Sequence, residues 1–400
     1  MMIESRRTRA HLDVTLLLLV FGLSIFGVLA IAVATYSTSS DSSASLLNHI
    51  VESSSAMRQC LFLLVSVFLI SLVLNIPYDL LRRSAHLLYA LATFLVLFTL
   101  VTNGAAGVKA WTDIIWGYTI QPSEFIKLAL ILMLARALAR YERPMSNMKQ
   151  FINLMVMVGA PCLIILASGE MGSLLVIVFI FAVMLYFSGT PKRVLISLAA
   201  VAIIGILLIY ALVVASGSDN YRLQRILAFL NPAEYALDDA YQQTHSKICI
   251  GSGGTWGKGM FVDGSWSQLN FVPADWTDFI FATIGEAWGF IGCIAVLLTY
   301  LAIILRMIYL AYNTRDKFGM LVIVGVMAMM LFHVFENIGM TLGLMPITGI
   351  PLPFLSYGGS NMVTNMGGVA LVLNVTKNRS LTTASAPQPQ AMLKYYRGSL

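Results

Sequence analysis

Charge is scarce in this chain of 400 residues. Lys, Arg, Asp and Glu together make up 11% of it, where a soluble protein carries roughly 25%. So few charges cannot cover a water-facing surface, which excludes a soluble globular domain and a disordered chain. Cysteine is scarcer still. Cys60, Cys162, Cys249 and Cys293 are the whole set, and no two form a C-x-x-C. That pattern offers neither a disulfide framework nor a zinc site. No His, Cys and carboxylate residues stand at metal-ligand spacing either. The net charge of +6 does not indicate nucleic acid, because the basic residues are divided among short loops between apolar runs. An outer-membrane barrel is excluded as well: its strands are alternating segments of about ten residues, and the apolar runs here are twice as long. No internal repeat of the kind that marks many transporters is visible.

What is present is hydrophobic length. Apolar residues make up 58% of the chain and the mean hydropathy is +0.82. Ten runs are long enough to cross a bilayer, near 13–36, 59–77, 84–102, 121–140, 151–168, 172–188, 194–215, 279–305, 319–342 and 361–376. The expected fold class is an all-α polytopic membrane protein, with residues 1–376 forming one ten-helix domain. The first run is too long for a signal-peptide core and no A-x-A cleavage site follows it, so it counts as a span. Residues 377–400, rich in Thr, Ser, Ala, Pro and Gln, read as a disordered cytoplasmic tail.

Basic residues set the orientation. Arg6, Arg7, Arg9, Arg82, Arg83, Arg136, Arg140, Arg143, Lys149, Lys192, Arg193, Arg306, Arg315, Lys317, Lys377, Arg379, Lys394 and Arg397 all fall on one side. The short loops of the other side hold only Arg58 and Lys109. By the positive-inside rule both termini are cytoplasmic. The long polar segment 216–278, between the seventh and eighth runs, is then extracytoplasmic. Long, Gly-rich loops in compact proteins are usually functional. Within it, Asn231-Pro232 reads as the start of a short helix over 232–245.

Six places stand out for their chemistry. Asp278 stands where the polar loop becomes an apolar helix, with Thr277 as a cap and Asp278 in the first turn. It either complements the helix dipole or serves as a base whose pKa burial has raised. Glu286 lies two turns further on. An acid inside a span costs about 2.5–3.5 kcal/mol on insertion scales, so it faces a cavity or a partner. Glu124 and Lys127, at i, i+3, are neighbours on one helix face. They read either as a pair that lowers the cost of both charges or as a contact to an anionic substrate group. Gly251-Ser-Gly-Gly254 and Gly257-Lys258-Gly259 resemble phosphate cradles but lack the P-loop pattern and its strand-turn-helix setting. Arg222, Arg225, Lys247 and Lys258 give this loop positive charge that could hold a pyrophosphate. The Pro- and Gly-rich segment Met345–Ser360 predicts non-helical backbone at membrane depth, tolerated where it lines a cavity or is buried in protein. His333 and Glu336 stand at i, i+3 on the ninth run, and His333 reads more simply as a packing residue than as a ligand.

Taken together, these stretches resemble the SEDS family (shape, elongation, division and sporulation). The likeness rests on Gln121-Pro-Ser-Glu124 with Lys127, Tyr221 through Arg225 with Phe229-Leu-Asn-Pro232, Tyr241-Gln242, the two glycine motifs, Ser267-Gln268-Leu269, Thr277-Asp-Phe-Ile-Phe281 with Gly285-Glu286, and Pro351-Leu-Pro-Phe-Leu-Ser-Tyr-Gly-Gly-Ser360. It runs from the first span to the tenth. The resemblance implies a ten-helix fold, a peptidoglycan glycosyltransferase that polymerises lipid II in the bacterial plasma membrane, and a class B penicillin-binding protein as crosslinking partner. It also implies that Asp278 is the essential aspartate, that Glu124 and Lys127 are the membrane pair, and that Trp111, Glu170 and Gln268 belong to the substrate region. The chain departs from the family pattern at Ala110, Glu170, Trp266, Ala274 and Trp276.

The implied chemistry suits these residues. A sugar hydroxyl attacks an anomeric carbon and expels undecaprenyl pyrophosphate. That leaving group is already acidic, so one base suffices, in contrast to the two carboxylates of glycoside hydrolysis. Asp278 is the expected base, with inversion. Lys127, Arg225 and Lys258 are the expected pyrophosphate contacts, and Glu286 is a further substrate-region residue. No cofactor is required, although a divalent cation, Mg or Mn, would also stabilise the leaving group. The competing class is a transporter, a lipid II flippase, whose essential acid belongs at the midplane. A scaffold that only holds a transpeptidase would tolerate loss of Asp278.

Overall fold

The computed structural model describes residues 12–36, 46–101, 111–113, 119–142, 144–201, 204, 229 and 241–378. The apolar runs fold as helices: α1 (Val14–Ala34), α3 (Ser54–Asn75), α4 (Tyr78–Thr99), α5 (Pro122–Leu138), α6 (Met148–Ser168), α7 (Met171–Phe187), α9 (Ile280–Tyr312), α10 (Lys317–Thr341) and α11 (Gly359–Lys377). Two shorter helices, α2 (Leu46–Glu52) and α8 (Tyr241–Ser252), lie in the connections. Among the described residues, six helices are long and apolar enough to cross a membrane: α1, α3, α4, α6, α9 and α10. Of the seventh expected run, 192–201 is helical, and most of the remainder lies outside the described residues. α2 had no counterpart among the expected elements. Of the helix expected over 232–245, only 241–245 lies within the described residues; α8 runs on from there to Ser252, with Gln243 donating to the Met340 and Met345 carbonyls and Ser246 to that of Thr341. α11 includes Lys377, whose ammonium reaches the Leu74 carbonyl at 2.9 Å; residues 379–400 of the expected tail lie outside the described residues.

Helix ends are fixed by their sequence. Asp13 caps α1 by accepting from Leu16 N at 2.9 Å, and Ser53 caps α3 by accepting from Ala56 N. Asp316 caps α10 through Gly319 N. Such caps satisfy backbone donors that the helix itself cannot. Asp13 also takes Arg306 in a two-pronged ion pair at 2.8 and 3.1 Å, which pins the start of α1 to α9. A short hairpin, β1 (Thr112–Asp113) paired antiparallel with β2 (Thr119–Ile120), leads into α5.

α10 and α11 are the most enclosed helices. α10 packs on α5, α7, α9 and α11, and α11 packs on α3, α5 and α10. Most of their faces are buried, including the polar His333, Glu336, Asn337, Asn361, Asn365 and Asn374. α3 and α4 instead turn long apolar faces outward. A helix apolar all round and buried on every side belongs at the centre of a membrane bundle, and one with an exposed apolar face belongs against lipid.

α9 is two helices in one. At Gly289 the backbone leaves helical values (φ 63°, ψ −161°). The glycine-rich loop fills the gap: Lys258 N and Gly259 N donate to the Glu286 and Ala287 carbonyls, while Phe290 N and Ile291 N donate to those of Gly254 and Thr255. A side chain at Gly289 would collide with Gly257 N at 2.3 Å. The motifs that resembled phosphate cradles therefore cradle the backbone of a broken helix. Beyond the break, residues 290–312 carry outward-facing Phe290, Leu298, Leu301 and Leu305, and at 1.5 Å per residue they suffice for a bilayer core of about 30 Å. The buried piece 280–288 lies ahead of that span.

Candidate functional site

Asp278 does not sit in the first turn of α9. Phe279 is the N-cap, the helix begins at Ile280, and the Thr277 hydroxyl donates to the Ala274 carbonyl instead of capping. Asp278 is half-buried in the turn before the helix, its amide donating to the Ala274 carbonyl at 3.1 Å. Asn337, on α10, donates from one amide nitrogen to the Asp278 and Ile350 carbonyls, each at 2.7 Å. This fastens the turn to the Pro- and Gly-rich segment. Gly349 (φ 71°) passes so close that a Cβ there would lie 3.4 Å from Asp278 Oδ2. Its neighbour Thr348 donates to Glu336 Oε1 at 2.8 Å. Gly172, at the start of α7, packs on Thr348 and Ile350 from the other side. Backbone 348–350 is thus a strut between Asp278, α10 and α7, buried at Ile350 and open at Gly349, as irregular backbone that lines a cavity would be.

A second carboxyl lies beside this strut. Glu170, in the turn between α6 and α7, accepts from Gln121 Nε2 at 2.9 Å, and its Oε2 has no partner among the described residues. Burial pushes its carboxyl above the usual range, the nearby Glu124 carboxylate adds to this, and the Gln121 and Ser123 hydrogen bonds and Lys127 oppose it.

Glu124 and Lys127 meet as their spacing predicts, at 2.6 Å, and are 3% and 1% exposed. The structure adds a third member. Lys127 Nζ lies 3.0 Å from His333 Nε2, and His333 Nδ1 lies 2.6 Å from the Met329 carbonyl. The carbonyl requires a proton on Nδ1, so Nε2 accepts from the ammonium and the imidazole is neutral. His333 is therefore a partner of the buried pair and not an isolated packing residue. Glu124 Oε2 has no partner among the described residues.

Glu286 stands differently from its expected place within a span. Its oxygens receive Lys258 Nζ at 2.7 Å, Trp266 N at 2.8 Å, Ser267 N at 3.0 Å and Ser267 Oγ at 2.9 Å, with Ser252 Oγ and Cys249 Sγ at 3.4 and 3.3 Å. A carboxylate has about four lone-pair sites, so Glu286 is fully engaged as a clasp that closes the outer loop onto α9. Lys258 is the other half of that clasp. Gln268 braces the same loop, donating to Asp263 at 3.2 Å. Trp111 is 40% exposed beside β1. Arg225 lies outside the described residues, as do Arg222 and most of the segment from 216 to 240.

One residue escaped the sequence reading. Asp275 is fully buried three positions before Asp278, and Thr283 approaches it at 3.4 Å. Burial pushes its carboxyl up to about 8, against the hydrogen bonds that lower it. Nothing in Ala274-Asp275-Trp276 separates it from Asp278; only the tertiary fold turns one side chain fully inward and leaves the other half-buried. His333, Glu336 and Asn337 had a faint signal, as polar residues grouped on one apolar helix. Among the described residues, no three His, Cys, Asp or Glu side chains are grouped to hold a metal ion.

The arrangement is one half-buried carboxylate on a braced turn, backed by buried acidic and basic groups. A carboxylate so held can accept a proton from a hydroxyl. Comparison with known proteins gives this a context. The family model for FtsW, RodA and SpoVE, described as a cell cycle protein, matches residues 14–381. The chain is 32% identical to stage V sporulation protein E of Bacillus subtilis, over 80% of this chain and 87% of that one. It is 30% identical to the peptidoglycan glycosyltransferase MrdB of Escherichia coli, over 94% and 96%. A chain in the structure of a peptidoglycan synthase complex that coordinates polymerization and crosslinking superposes with TM-score 0.74 at 26% identity, covering 92% of this chain and 98% of that one. The crystal structure of the rod shape determining protein RodA of Thermus thermophilus superposes with TM-score 0.67 at 25% identity, over 92% and 97%. Matched by the family model from residue 14 to residue 381 and by relatives at 30% identity or more over most of its length, this chain belongs to the FtsW/RodA/SpoVE family.

Proposed function

We propose that this chain is a peptidoglycan glycosyltransferase that polymerises lipid II at the outer face of a bacterial plasma membrane. The observation that carries the reading is Asp278: a half-buried carboxylate held by its backbone on the turn ahead of α9. The acceptor sugar's 4-hydroxyl gives its proton to Asp278 as its oxygen bonds to the donor's anomeric carbon. The bond from that carbon to the pyrophosphate breaks, its electron pair leaves with undecaprenyl pyrophosphate, and the configuration inverts. General-base catalysis of this kind contributes roughly 10²–10⁴-fold. The buried Glu124–Lys127–His333 group and Glu170 support the inner wall of the site, and Trp111, Gln268 and Arg225 remain assigned to the substrate region. Glu286 and Lys258 serve by shaping the loop that borders the site. For a Mg or Mn cation, no group of three His, Cys, Asp or Glu side chains stands ready among the described residues.

The membrane arrangement that fits is ten spans with both termini cytoplasmic, the 216–278 segment outside, and the 377–400 tail inside. The basic residues at one end of the bundle and the clasped loop at the other support this orientation. A class B penicillin-binding protein is the proposed partner. It crosslinks the strands this chain makes, in keeping with the similarity to a chain of a complex that couples those two activities. A flippase is disfavoured because Asp278 precedes the first turn of α9 instead of lying within a helix, where a transporter's midplane acid would be expected. The test is incubation of the purified full chain with labelled lipid II, alone and with the partner, followed by gel separation of glycan strands. Absence of polymer in both conditions, with lipid II translocated across vesicles instead, would overturn the assignment.

A further inference from the structure

At the opposite end of the bundle, the start of α4 and the end of α5 pack side by side and enclose a cleft of about 300 Å³ lined by Asp79, Arg82, Arg83, Arg136 and Arg140. Four guanidiniums against one carboxylate is an unusual concentration. Arg136 stands in the last turn of α5 and Arg140 in the turn just beyond its end. Arg136 is fixed by donating to the Arg83 carbonyl at 2.8 Å and by contact with His86 Nδ1 at 2.6 Å. Arg82 leans toward Asp316 at 3.9 Å and over the Phe318 ring. Arg83 and Arg140 have no ion-pair partner among the described residues. Cytoplasmic orientation needs only basic residues near the helix ends; it does not need four of them turned toward one space.

The surroundings identify the occupant. Arg83 lies on the same helical face as Leu80, Leu87, Leu91 and Phe94, all exposed on α4. That face is a lipid-facing stripe, and the cleft opens at its cytoplasmic end. We propose that the four-arginine cleft is a binding site for the phosphate headgroup of an anionic inner-leaflet phospholipid, whose acyl chains lie along the Leu80–Phe94 stripe of α4. Guanidinium forks match phosphate oxygens in pairs, and the stripe gives a lipid an advantage that free phosphate lacks. The site stands apart from Asp278, so it does not depend on the glycosyltransferase reading.

The test uses the full chain purified in a zwitterionic detergent. Bound phosphatidylglycerol is measured by native mass spectrometry against phosphatidylcholine of the same chain length, with inorganic phosphate as competitor. Wild-type protein is expected to retain phosphatidylglycerol preferentially, and millimolar phosphate is expected not to displace it. R83Q/R140Q leaves the Arg83 carbonyl bond to Arg136 in place. It should lower retention by about 100-fold, at roughly tenfold for each guanidinium–phosphate hydrogen bond removed. If the double variant does not fold, R140Q alone should lower it by about tenfold on the same basis. Equal retention of the two lipids, displacement by free phosphate, or unchanged retention in a folded variant would each overturn the proposal. Retention of an acidic protein segment in place of lipid would do the same.

Discussion

Asn337 holds Asp278 by the main chain and not by its carboxylate: one side-chain amide, on a different helix, donates to the Asp278 and Ile350 carbonyls at 2.7 Å each. Position is supplied from α10 through the backbone, without drawing on the side-chain charge. Asn337→Ala should therefore reduce turnover without removing any ionisable group. A displacement of about 1 Å can cost on the order of 10²-fold in rate, and the two carbonyls left buried should cost about 1–3 kcal/mol of stability. Strand synthesis from labelled lipid II, read beside a thermal melt in detergent, separates the two effects. Unchanged turnover in a folded variant would remove Asn337 from the positioning role.

Asp278→Asn should abolish strand synthesis, by roughly 10²–10⁴-fold, while the protein folds and binds its partner as before. The side chain is half-buried and the backbone bonds to Asn337 and Ala274 survive the change. Polymerisation near the normal rate would sink the assignment of the base.

The buried trio gives a graded prediction. Glu124→Ala leaves the Lys127 ammonium with only a neutral imidazole in the bundle, which should cost about 3–5 kcal/mol and show as poor folding yield. Removing both charges, in Glu124→Ala with Lys127→Ala, should restore folding close to normal. If the double variant also regains strand synthesis, the trio is architectural; if it folds but stays inactive, the trio belongs to the working site.

Asp275 sets a pH dependence. Its carboxyl is raised to about 8 in the folded chain, far above the roughly 3.9 of an unfolded aspartate. Between those values the folded state holds the extra proton, so stability falls as pH rises from about 4 toward 8, by up to about 1.4 kcal/mol per unit, and levels off above. Asp275→Asn, which cannot ionise, should flatten that slope in detergent melts across the same window. A slope unchanged by the substitution would assign the dependence to other groups.

Glu286→Gln removes the charge at the centre of the clasp. Amide hydrogen exchange across 253–268 should then quicken by more than tenfold, since hydrogen bonds to a charged group are worth about 1.5–3 kcal/mol each. Exchange that does not change would show that the backbone bonds around Gly289 hold the loop unaided.

Much of this was legible in the sequence, and the limits have a physical cause. Length and apolarity placed helices such as α1, α3 and α10, because backbone in lipid must satisfy its own hydrogen bonds. The Glu124–Lys127 contact followed from spacing alone, being local to one helix. What failed was long-range. His333 joins Lys127 from 206 positions away, and nothing in either neighbourhood announces it. Glu286 looked like an acid stranded in a span because the break at Gly289 is produced by a loop 30 residues earlier in the chain. The same loop's glycines suggested a phosphate site; their small size serves close backbone approach in both cases, and only the fold decides which backbone or ligand approaches.

The break at Gly289 also divides the biogenesis of the protein. Residues 290–312 are apolar and long enough to enter the bilayer as soon as they are made. The Glu286 and Ala287 carbonyls ahead of the break, and the Phe290 and Ile291 amides just after it, stay unsatisfied until Lys258, Gly259, Gly254 and Thr255 have closed on them. Those four residues act as the missing turn of the helix, supplied from elsewhere in the chain. Insertion into the membrane and closure of the loop on α9 are therefore separate events, and a chain can be inserted while the end that carries Asp278 is still unbuilt.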